Sequence, residues 1–264
     1  VVFNVEGTVY HSYTGTYGSA IVLPKAPELT KVGQPYVFQE WVGYVDGMTV
    51  TGDMSFDGRF LLTYTSLPAA VGGVIIMGSP DVEEFLITQP VVALMKGCFA
   101  DGVREIDLVM GKVEVKMDEG SVRSMRTMDT HVGARMADGD SMTQAQMSVV
   151  GDRPAFNIYI EGVSKVDGVL TISVPYTLKE GEDAENVEVW YITGDGSVEK
   201  MSTTYADGMA TFTTGHLSLY AVMYGSPDAG TVTDGVLTGI AVVLLVCILG
   251  LAVFLVKIRP ARVE

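Results

Sequence analysis

The stretch AFNIYIEGVSKVDGVLTISVPY, residues 155–176, carries the alternation that decides the fold class. In its first half Phe156, Ile158 and Ile160 fall on one face of an extended chain, and the same alternation recurs at residues 170–174. Apolar side chains that repeat with a period of two are typical of half-buried β-strands. The stretch therefore predicts two strands that each turn one face toward a core.

The same pattern extends over residues 98–225. GKVEVKM at 111–117 alternates, VEVWYITGDGSVEKMSTTY at 187–205 indicates two strands around a Gly-Asp-Gly turn, and MATFTTGHLSLYAVMY at 209–224 indicates a final pair. Several short strands with turn-bearing links predict a β-sandwich-like or open antiparallel β domain. Residues 116–145 are less regular and are expected to form a loop, or a short helix with a connector.

The segment before this domain, residues 66–97, is apolar and rich in glycine, and we expect it to be a connector. Residues 74–77 form an apolar run that is too short to cross a membrane and predicts a buried strand. TQPVVALMKG at its end predicts one short helix, with Pro90 in the first turn and Gly97 at the end.

Residues 1–65 alternate like strands and are punctuated by glycine, and Asp46-Gly47 is a favoured turn pair for a hairpin. We expect a small domain with an aromatic core rather than an aromatic platform for a ligand. The expected core residues are Phe3, Tyr36, Phe38 and Trp41.

Within this segment stand a Tyr-Gly pair, a Leu-Pro with a second proline soon after, and a Tyr-x-Phe-x-x-Trp. The residues are Tyr17, Gly18, Leu23, Pro24, Pro27, Tyr36, Phe38 and Trp41. In this the segment resembles the Listeria–Bacteroides repeat, also called the internalin B-repeat family, and departs from it at Glu40, where members commonly have glycine. The resemblance implies a compact β-grasp-like module of bacterial or archaeal surface proteins, with no catalytic residues.

A second resemblance covers the later strands and ends in the run from Phe212 to Tyr220, FTTGHLSLY. It is similar to a domain common near the C-termini of prokaryotic surface proteins, which often ends in Phe-Thr-Thr-x-His-Phe-Ser-x-Tyr; here Leu217 replaces the second phenylalanine. The resemblance implies an envelope-anchoring element after the domain and no enzymatic activity.

Residues 236–256 are 21 consecutive residues without a charge. As a helix they span roughly 31 Å, close to the thickness of a bilayer's hydrocarbon core. We therefore predict one transmembrane α-helix after a linker at 226–235. The tail at 257–264 carries Lys257, Arg259 and Arg262, and positive charge favours the cytoplasmic side. The expected localisation is a single-pass protein of the cell membrane, with the N-terminal ectodomain outside and the short tail in the cytoplasm.

The N-terminal residues VVFNVEGTVYHSY do not form a signal peptide, so we expect a processed or partial product with further sequence upstream. Of the 17 basic and 32 acidic residues, residues 1–235 hold 14 and 31, a net charge of −17. A surface this acidic disfavours nucleic acid as a partner. Cys98 stands alone in the ectodomain and Cys247 lies in the predicted membrane helix, so no disulfide framework is expected.

The sequence predicts no catalytic residues, no cofactor and no metal site. His11, His131 and His216 are far apart in the sequence, and His216 is expected to be a structural strand residue. Gly-x-Ser-x-Gly, phosphate-loop and dinucleotide motifs are absent from the sequence. The acidic stretches at 138–140 and 180–185 do not fit the EF-hand pattern and are expected to be solvated loops.

These observations predict a membrane-anchored prokaryotic cell-surface protein whose non-catalytic ectodomain acts in adhesion or interaction. Its expected partners are the membrane and an unknown extracellular protein or glycan. Two alternatives stay open at the level of sequence. One is a structural envelope or stalk protein, and the other is the stalk of an enzyme whose catalytic domain lies upstream. Tandem copies of the first module, or a catalytic signature, in upstream sequence would separate them.

Overall fold

A computed structural model describes residues 1–31 and 34–225 of the chain. These residues form two β-sheets with three short α-helices, so the mainly β prediction is confirmed. The residues of the predicted transmembrane helix, 236–256, and of the tail, 257–264, lie outside the described part. Within the described part, no helix is long and apolar enough to span a bilayer.

The large sheet has 11 strands, in the order β14-β13-β17-β11-β10-β7-β5-β1-β2, with β4 also pairing with β5 and β3 with β4. In chain order these strands are β1 (Val2–Val5), β2 (Thr8–Ser12), β3 (Leu29–Lys31), β4 (Gln34–Val42), β5 (Ser55–Tyr64), β7 (Glu84–Ile87), β10 (Thr130–Met136), β11 (Ala155–Ile160), β13 (Val187–Ile192), β14 (Val198–Met201) and β17 (Leu219–Tyr224).

The small sheet has six strands in the order β15-β16-β12-β9-β8-β6. Its strands are β6 (Val74–Ser79), β8 (Glu105–Met110), β9 (Val113–Met117), β12 (Lys165–Pro175), β15 (Thr203–Ala206) and β16 (Met209–His216). The pairs β1–β5, β5–β7 and β6–β8 are parallel and the other pairs are antiparallel. The domain is therefore a mixed sandwich rather than the open antiparallel sheet that was the alternative.

The inter-sheet core, the larger of the two main cores, is built from the facing sides of both sheets. Ile75 and Leu108 of the small sheet and Phe85 and Val132 of the large sheet belong to this one cluster and are essentially inaccessible to solvent. Each of these residues alternates with a polar or less buried neighbour, as the sequence predicts. Burial of apolar surface on this scale is the main stabilising term for such a fold.

The aromatic core is smaller and lies at the N-terminal end of the large sheet. Phe3 and Trp41 are buried there, with ring centroids 4.9 Å apart, and Phe56 packs 5.4 Å from Phe3. Phe38 is half-buried at the edge of this core, but Tyr36 packs against the inter-sheet core instead. Three of the four predicted aromatic residues therefore belong to the predicted core, and Tyr36 does not.

Three α-helices, α1 (Gln89–Gly97), α2 (Glu119–Ser124) and α3 (Gln144–Val150), and two short 3-10 helices, Cys98–Asp101 and Ala184–Asn186, complete the described part. Helix α1 has the predicted bounds, with Pro90 in its first turn, and buries its apolar side in the inter-sheet core. Helix α2 and strand β10 lie in residues 116–145, the region that was expected to be a loop or a short helix with a connector, and α3 begins at its end.

Helix α3 begins with a capping box between Thr143 and Gln146. It packs on the outer face of the large sheet, where Val150 joins a third cluster with Leu219 and Ala221. The intervening residue Tyr220 lies on the opposite face, in the inter-sheet core.

The segment expected to be a connector, residues 66–97, contributes β6 to the small sheet and β7 to the large sheet as well as α1. Strand β5 pairs with β1 and with β7, so the first 65 residues share one sheet with the strands that follow. Val1–Tyr224 forms one compact unit. The described contacts therefore show no break at the boundaries predicted near residues 65 and 97.

Two predictions about how consecutive strands are linked need correction. Strands β16 and β17, expected to be a final pair, belong to different sheets, and the two residues between them carry the chain across the sandwich. The alternation of apolar residues does not state which sheet a strand joins. Asp46-Gly47 does lie in a turn, where the N–H of Met48 donates to the carbonyl of Val45, but the link between β4 and β5 spans residues 43–54 rather than a two-residue hairpin.

Candidate functional site

The charged groove is a cleft of about 450 Å³ on the large sheet, next to the loop between β6 and β7. A volume of this size is typical of ligand sites in proteins. Its lining comes from strands β4, β5, β7 and β10 and from that loop. The lining residues are Tyr36, Gln39, Arg59, Phe60, Leu61, Leu62, Asp81, Val82, Glu83, Glu84, His131 and Arg135.

Glu84 is the central polar residue of the groove. The next residue, Phe85, is fully buried on the inner face of β7, so the alternation of the strand directs Glu84 to the outer face. Gly133 of β10 lies opposite Glu84, which places His131 and Arg135 on either side of the carboxylate. The register of two antiparallel strands thus brings together residues that are about 50 positions apart.

One carboxylate is shared by two basic groups. Oε1 of Glu84 lies 3.1 Å from Nδ1 of His131, and Oε2 accepts a hydrogen bond from Nη2 of Arg135. The side chain of Glu84 is only 22 % exposed, so Arg135 compensates its charge at a partly dehydrated position. The backbone N–H of His131 donates in addition to the carboxylate of Glu161 at 3.3 Å.

Tyr159 of β11 closes this cluster from the side. Its ring lies directly over Gly133, where an added Cβ would come within 2.5 Å of the phenol. Burial raises the pKa of Tyr159 to about 12, and the carboxylate of Glu84 adds to the rise while Arg135 opposes it. The phenol is therefore neutral at ordinary pH, and Gly133 is the residue that lets it lie flat on the sheet.

The groove carries a surplus of negative charge. Arg59 pairs with Glu40 at 3.3 Å, and Arg135 pairs with Glu84. Within residues 1–31 and 34–225, Asp81 and Glu83 form no ion pair. These two carboxylates are available to a positively charged group from outside.

The three histidines are not brought together. His131 lies in the groove, while His11 is on edge strand β2 and its ring lies 6.2 Å from that of Phe3. The ring of His216 stacks on that of Tyr191 at a centroid distance of 5.4 Å.

The FTTGHLSLY run stabilises the turn where the chain passes from β16 of the small sheet to β17 of the large sheet. The hydroxyl of Tyr220 donates to the carbonyl of His216 at 2.6 Å and lies 3.2 Å from Oγ1 of Thr214. The ring of Tyr220 packs 4.8 Å from that of Phe212 on the facing sheet. These contacts fix the turn after β16, as the hydroxyl of a tyrosine corner does in other β-sandwiches.

The acidic stretch at 180–185 is not a uniformly solvated loop. The side chain of Glu182 is only 8 % exposed and is 2.6 Å from Nη1 of Arg153. Burial alone would raise the pKa of Glu182, but hydrogen bonds from the Tyr176 hydroxyl, the Lys179 backbone N–H and Arg153 outweigh it and lower the pKa to about 2. Glu182 therefore fixes the loop to the sandwich. At 138–140, Asp138 accepts a hydrogen bond from the Ser141 N–H at 3.0 Å and stabilises a local turn.

Sequence reasoning proposed no site, and the groove is what it missed. Glu84, His131 and Arg135 are too far apart for any spacing motif. The available signal was Gly133 inside an alternating strand, since such a glycine often marks a close approach by another group. In the described part of the chain, three or more His, Cys, Asp or Glu side chains nowhere come together in a group that could hold a metal ion.

Comparison with known proteins adds no assignment. No protein-family model matches this chain, and no curated protein is significantly similar to it. The two resemblances drawn from the motifs at residues 1–65 and 212–220 therefore stay predictions.

Proposed function

We propose that this chain is a membrane-anchored prokaryotic surface protein whose ectodomain is non-catalytic and acts by binding an extracellular protein or glycan. The observation that carries the proposal is the contrast between the two halves of one sheet face. Helix α3 covers the outer face over β11, β13 and β17, where the residues are apolar. Over β5, β7 and β10 the same face is open, and the charged groove lies there.

The chemistry of the groove suits binding. It combines planar hydrogen-bonding groups, such as Gln39 and Arg59, with the half-buried ring of Tyr36 and with free carboxylates. Mixed lining of this kind, with a few fixed polar groups, orients a ligand. The Glu84 pairs with His131 and Arg135 hold two of the cluster's side chains in place before any partner arrives.

The membrane part of the proposal is supported by the sequence alone. The uncharged stretch 236–256 has the length of a bilayer span, and the basic residues after it favour a cytoplasmic tail. Protease added to intact cells should release a fragment of about the size of residues 1–235. If that fragment appears only after the cells are lysed, the proposed topology is wrong.

Binding is tested with the full chain in nanodiscs, presented to arrays of cell-surface glycans and of envelope proteins and, in parallel, to hydrolase substrates. We expect binding that weakens at least about tenfold in the Glu83→Gln/Arg135→Gln variant. The control is Glu199→Gln/Lys200→Gln on edge strand β14, which should bind like the wild type. Turnover of a substrate that disappears with one Asp, Glu or His substitution, while the fold persists, would contradict the proposal.

A further inference from the structure

Strand β5 has an incompletely paired edge. On one side it pairs with β4 over residues 57–62. On the other side β1 pairs with residues 55–57, and β7 pairs with residues 62–64. In the described part of the chain, residues 58–61 have no strand partner on this second side. We call the space beside residues 58–61 on this side the β5 gap.

The β5 gap presents backbone hydrogen-bonding groups in the geometry of a strand. Successive residues of a strand direct their N–H and C=O to opposite sides, and the N–H of Val2 donates to the carbonyl of Met54, so Gly58 and Phe60 are the two residues that face this side. The pairing of Asn4 with Asp57 places the carbonyl of Asn4 on the N–H of Gly58, which leaves the carbonyl of Gly58 and both groups of Phe60 without a strand partner. At about 3.3 Å per residue, the interval is roughly 13 Å long. Unpaired groups at a sheet edge are a template for an added strand.

The charged groove opens directly over the β5 gap. Its lining includes Arg59 and Leu61 from the outer face of β5, but also Phe60 and Leu62 from the inner face. Four consecutive residues of β5 line this one cleft, although the side chains of successive strand residues point to opposite faces. The cleft therefore reaches the backbone of β5 rather than lying on top of a continuous sheet.

Charge indicates the kind of side chain that fits there. Asp81 and Glu83 stand at the β7 end of the gap without an ion-pair partner among the described residues, whereas Arg59 and Arg135 already pair with Glu40 and Glu84. A Lys or Arg side chain in the gap would face these carboxylates. The net charge of −17 on residues 1–235 favours the approach of such a segment.

Resting on the proposed binding function, we infer that the β5 gap takes a short extended peptide segment of a partner protein, three or four residues long and carrying a lysine or arginine. The segment pairs its backbone with residues 58–61 and its basic side chain with Asp81 and Glu83. Backbone pairing of this kind supplies affinity, and the side-chain contacts supply specificity. A glycan has no groups spaced to complete a β ladder.

The test uses the full chain in nanodiscs and an array of acetylated, amidated pentapeptides Val-X-Val-X-Val, in which X is Lys, Arg, Glu or Ser. Each Lys and Arg peptide is also made with N-methylated backbone nitrogens, which removes its backbone donors. Binding is measured by titration, and its position by backbone amide exchange. We expect the Lys or Arg peptides to bind at least about tenfold more tightly than the Glu peptides and their N-methylated forms, and to slow exchange at residues 58–61.

Asp81→Asn/Glu83→Gln should weaken the Lys and Arg peptides by about tenfold or more, and the charge-matched control Glu199→Gln/Asp207→Asn should not. Equal binding of the N-methylated peptides, protection elsewhere in the chain, or no peptide binding at all would overturn the inference. If glycans or folded proteins bind on the arrays while peptides do not, the inference fails and the proposed function stands. If nothing binds, both fail.

Discussion

The aromatic core and the inter-sheet core both bury apolar side chains, but they differ in size and in the number of elements that contribute to them. The inter-sheet core draws on both sheets and on α1, so each of its side chains has many apolar neighbours. The aromatic core consists of five buried residues, three of them aromatic, at one end of a single sheet. A small core depends more heavily on each member, because little else excludes water from it.

The two cores are joined mainly through β5. Phe56 of this strand lies in the aromatic core, and Leu62 and Tyr64 lie in the inter-sheet core. Residues 58–61, beside the β5 gap, connect these two parts of the strand. An unpaired interval inside the large sheet thus occurs at the joint between two packed regions, where neither core requires a strand.

The largest expected effect is the loss of Trp41. Its replacement by alanine should lower the free energy of unfolding by about 3–5 kcal/mol, because the ring contacts both Phe3 and Phe38. Urea denaturation followed by circular dichroism measures this. Tyr17→Ala is the control, since Tyr17 is 80 % exposed and should change stability by less than about 0.5 kcal/mol. A stable Trp41→Ala protein that has lost only ligand binding would restore the aromatic-platform alternative.

The sandwich region also contains a buried charge. Burial raises the pKa of Asp107 to about 6, with Lys116 opposing the rise and Glu105 and Glu114 adding to it. Since the pKa of an unfolded Asp is near 4, the folded state holds this proton more tightly, and stability falls as pH rises from about 4 to 6.

Asp107→Asn should remove this part of the pH dependence. The free energy of unfolding of the variant minus that of the wild type should be about 1–3 kcal/mol larger at pH 7 than at pH 4. Paired urea titrations at the two pH values measure the difference, and Asp207→Asn, on an exposed turn, should show none. An unchanged difference between wild type and variant would mean that Asp107 is ionised normally.

A smaller effect is expected at Gly133. Alanine there would displace the Tyr159 ring, since its Cβ would lie within 2.5 Å of the phenol, and should cost about 1–3 kcal/mol. Gly139→Ala is the matched control, because an added Cβ there has only one neighbour, at 3.8 Å. The phenol absorbance of Tyr159 is a second readout: its pKa should move back toward 10 in Gly133→Ala. A pKa that stays near 12 would mean that the ring has not moved.

The smallest expected effect on stability concerns Arg59 beside the β5 gap. Its ion pair with Glu40 is exposed on both sides, so Arg59→Gln should change the free energy of unfolding by less than about 0.5 kcal/mol. Arg153→Gln, which leaves the buried carboxylate of Glu182 without its cation, should cost more than about 1 kcal/mol. Equal losses in the two variants would indicate that the groove is part of the structural joint and not a free binding surface.

Much of the fold could be predicted because alternation and turn residues are local signals. The strands at residues 155–160 and 170–174 and the bounds of α1 follow from them. Local signals do not determine which strands pair with each other. Strands β16 and β17 alternate alike but join different sheets. Strands β5 and β7 are neighbours in the large sheet although β6, which lies between them in the sequence, belongs to the small sheet. The charged groove depends on these pairings, so sequence spacing could not reveal it.

The β5 gap is tested most directly by residue-resolved amide exchange of the full chain without any ligand. We expect slow exchange at the β5 amides that pair with β1 or β7. Among residues 58–61 we expect fast exchange at the amide of Phe60, which points away from β4 and lies beyond the last residue of β1 that pairs with β5. Amides of the same four residues that point toward β4 serve as internal controls and should exchange slowly. Uniform protection along the whole of β5 would mean that this edge is already paired and that the β5 gap does not exist.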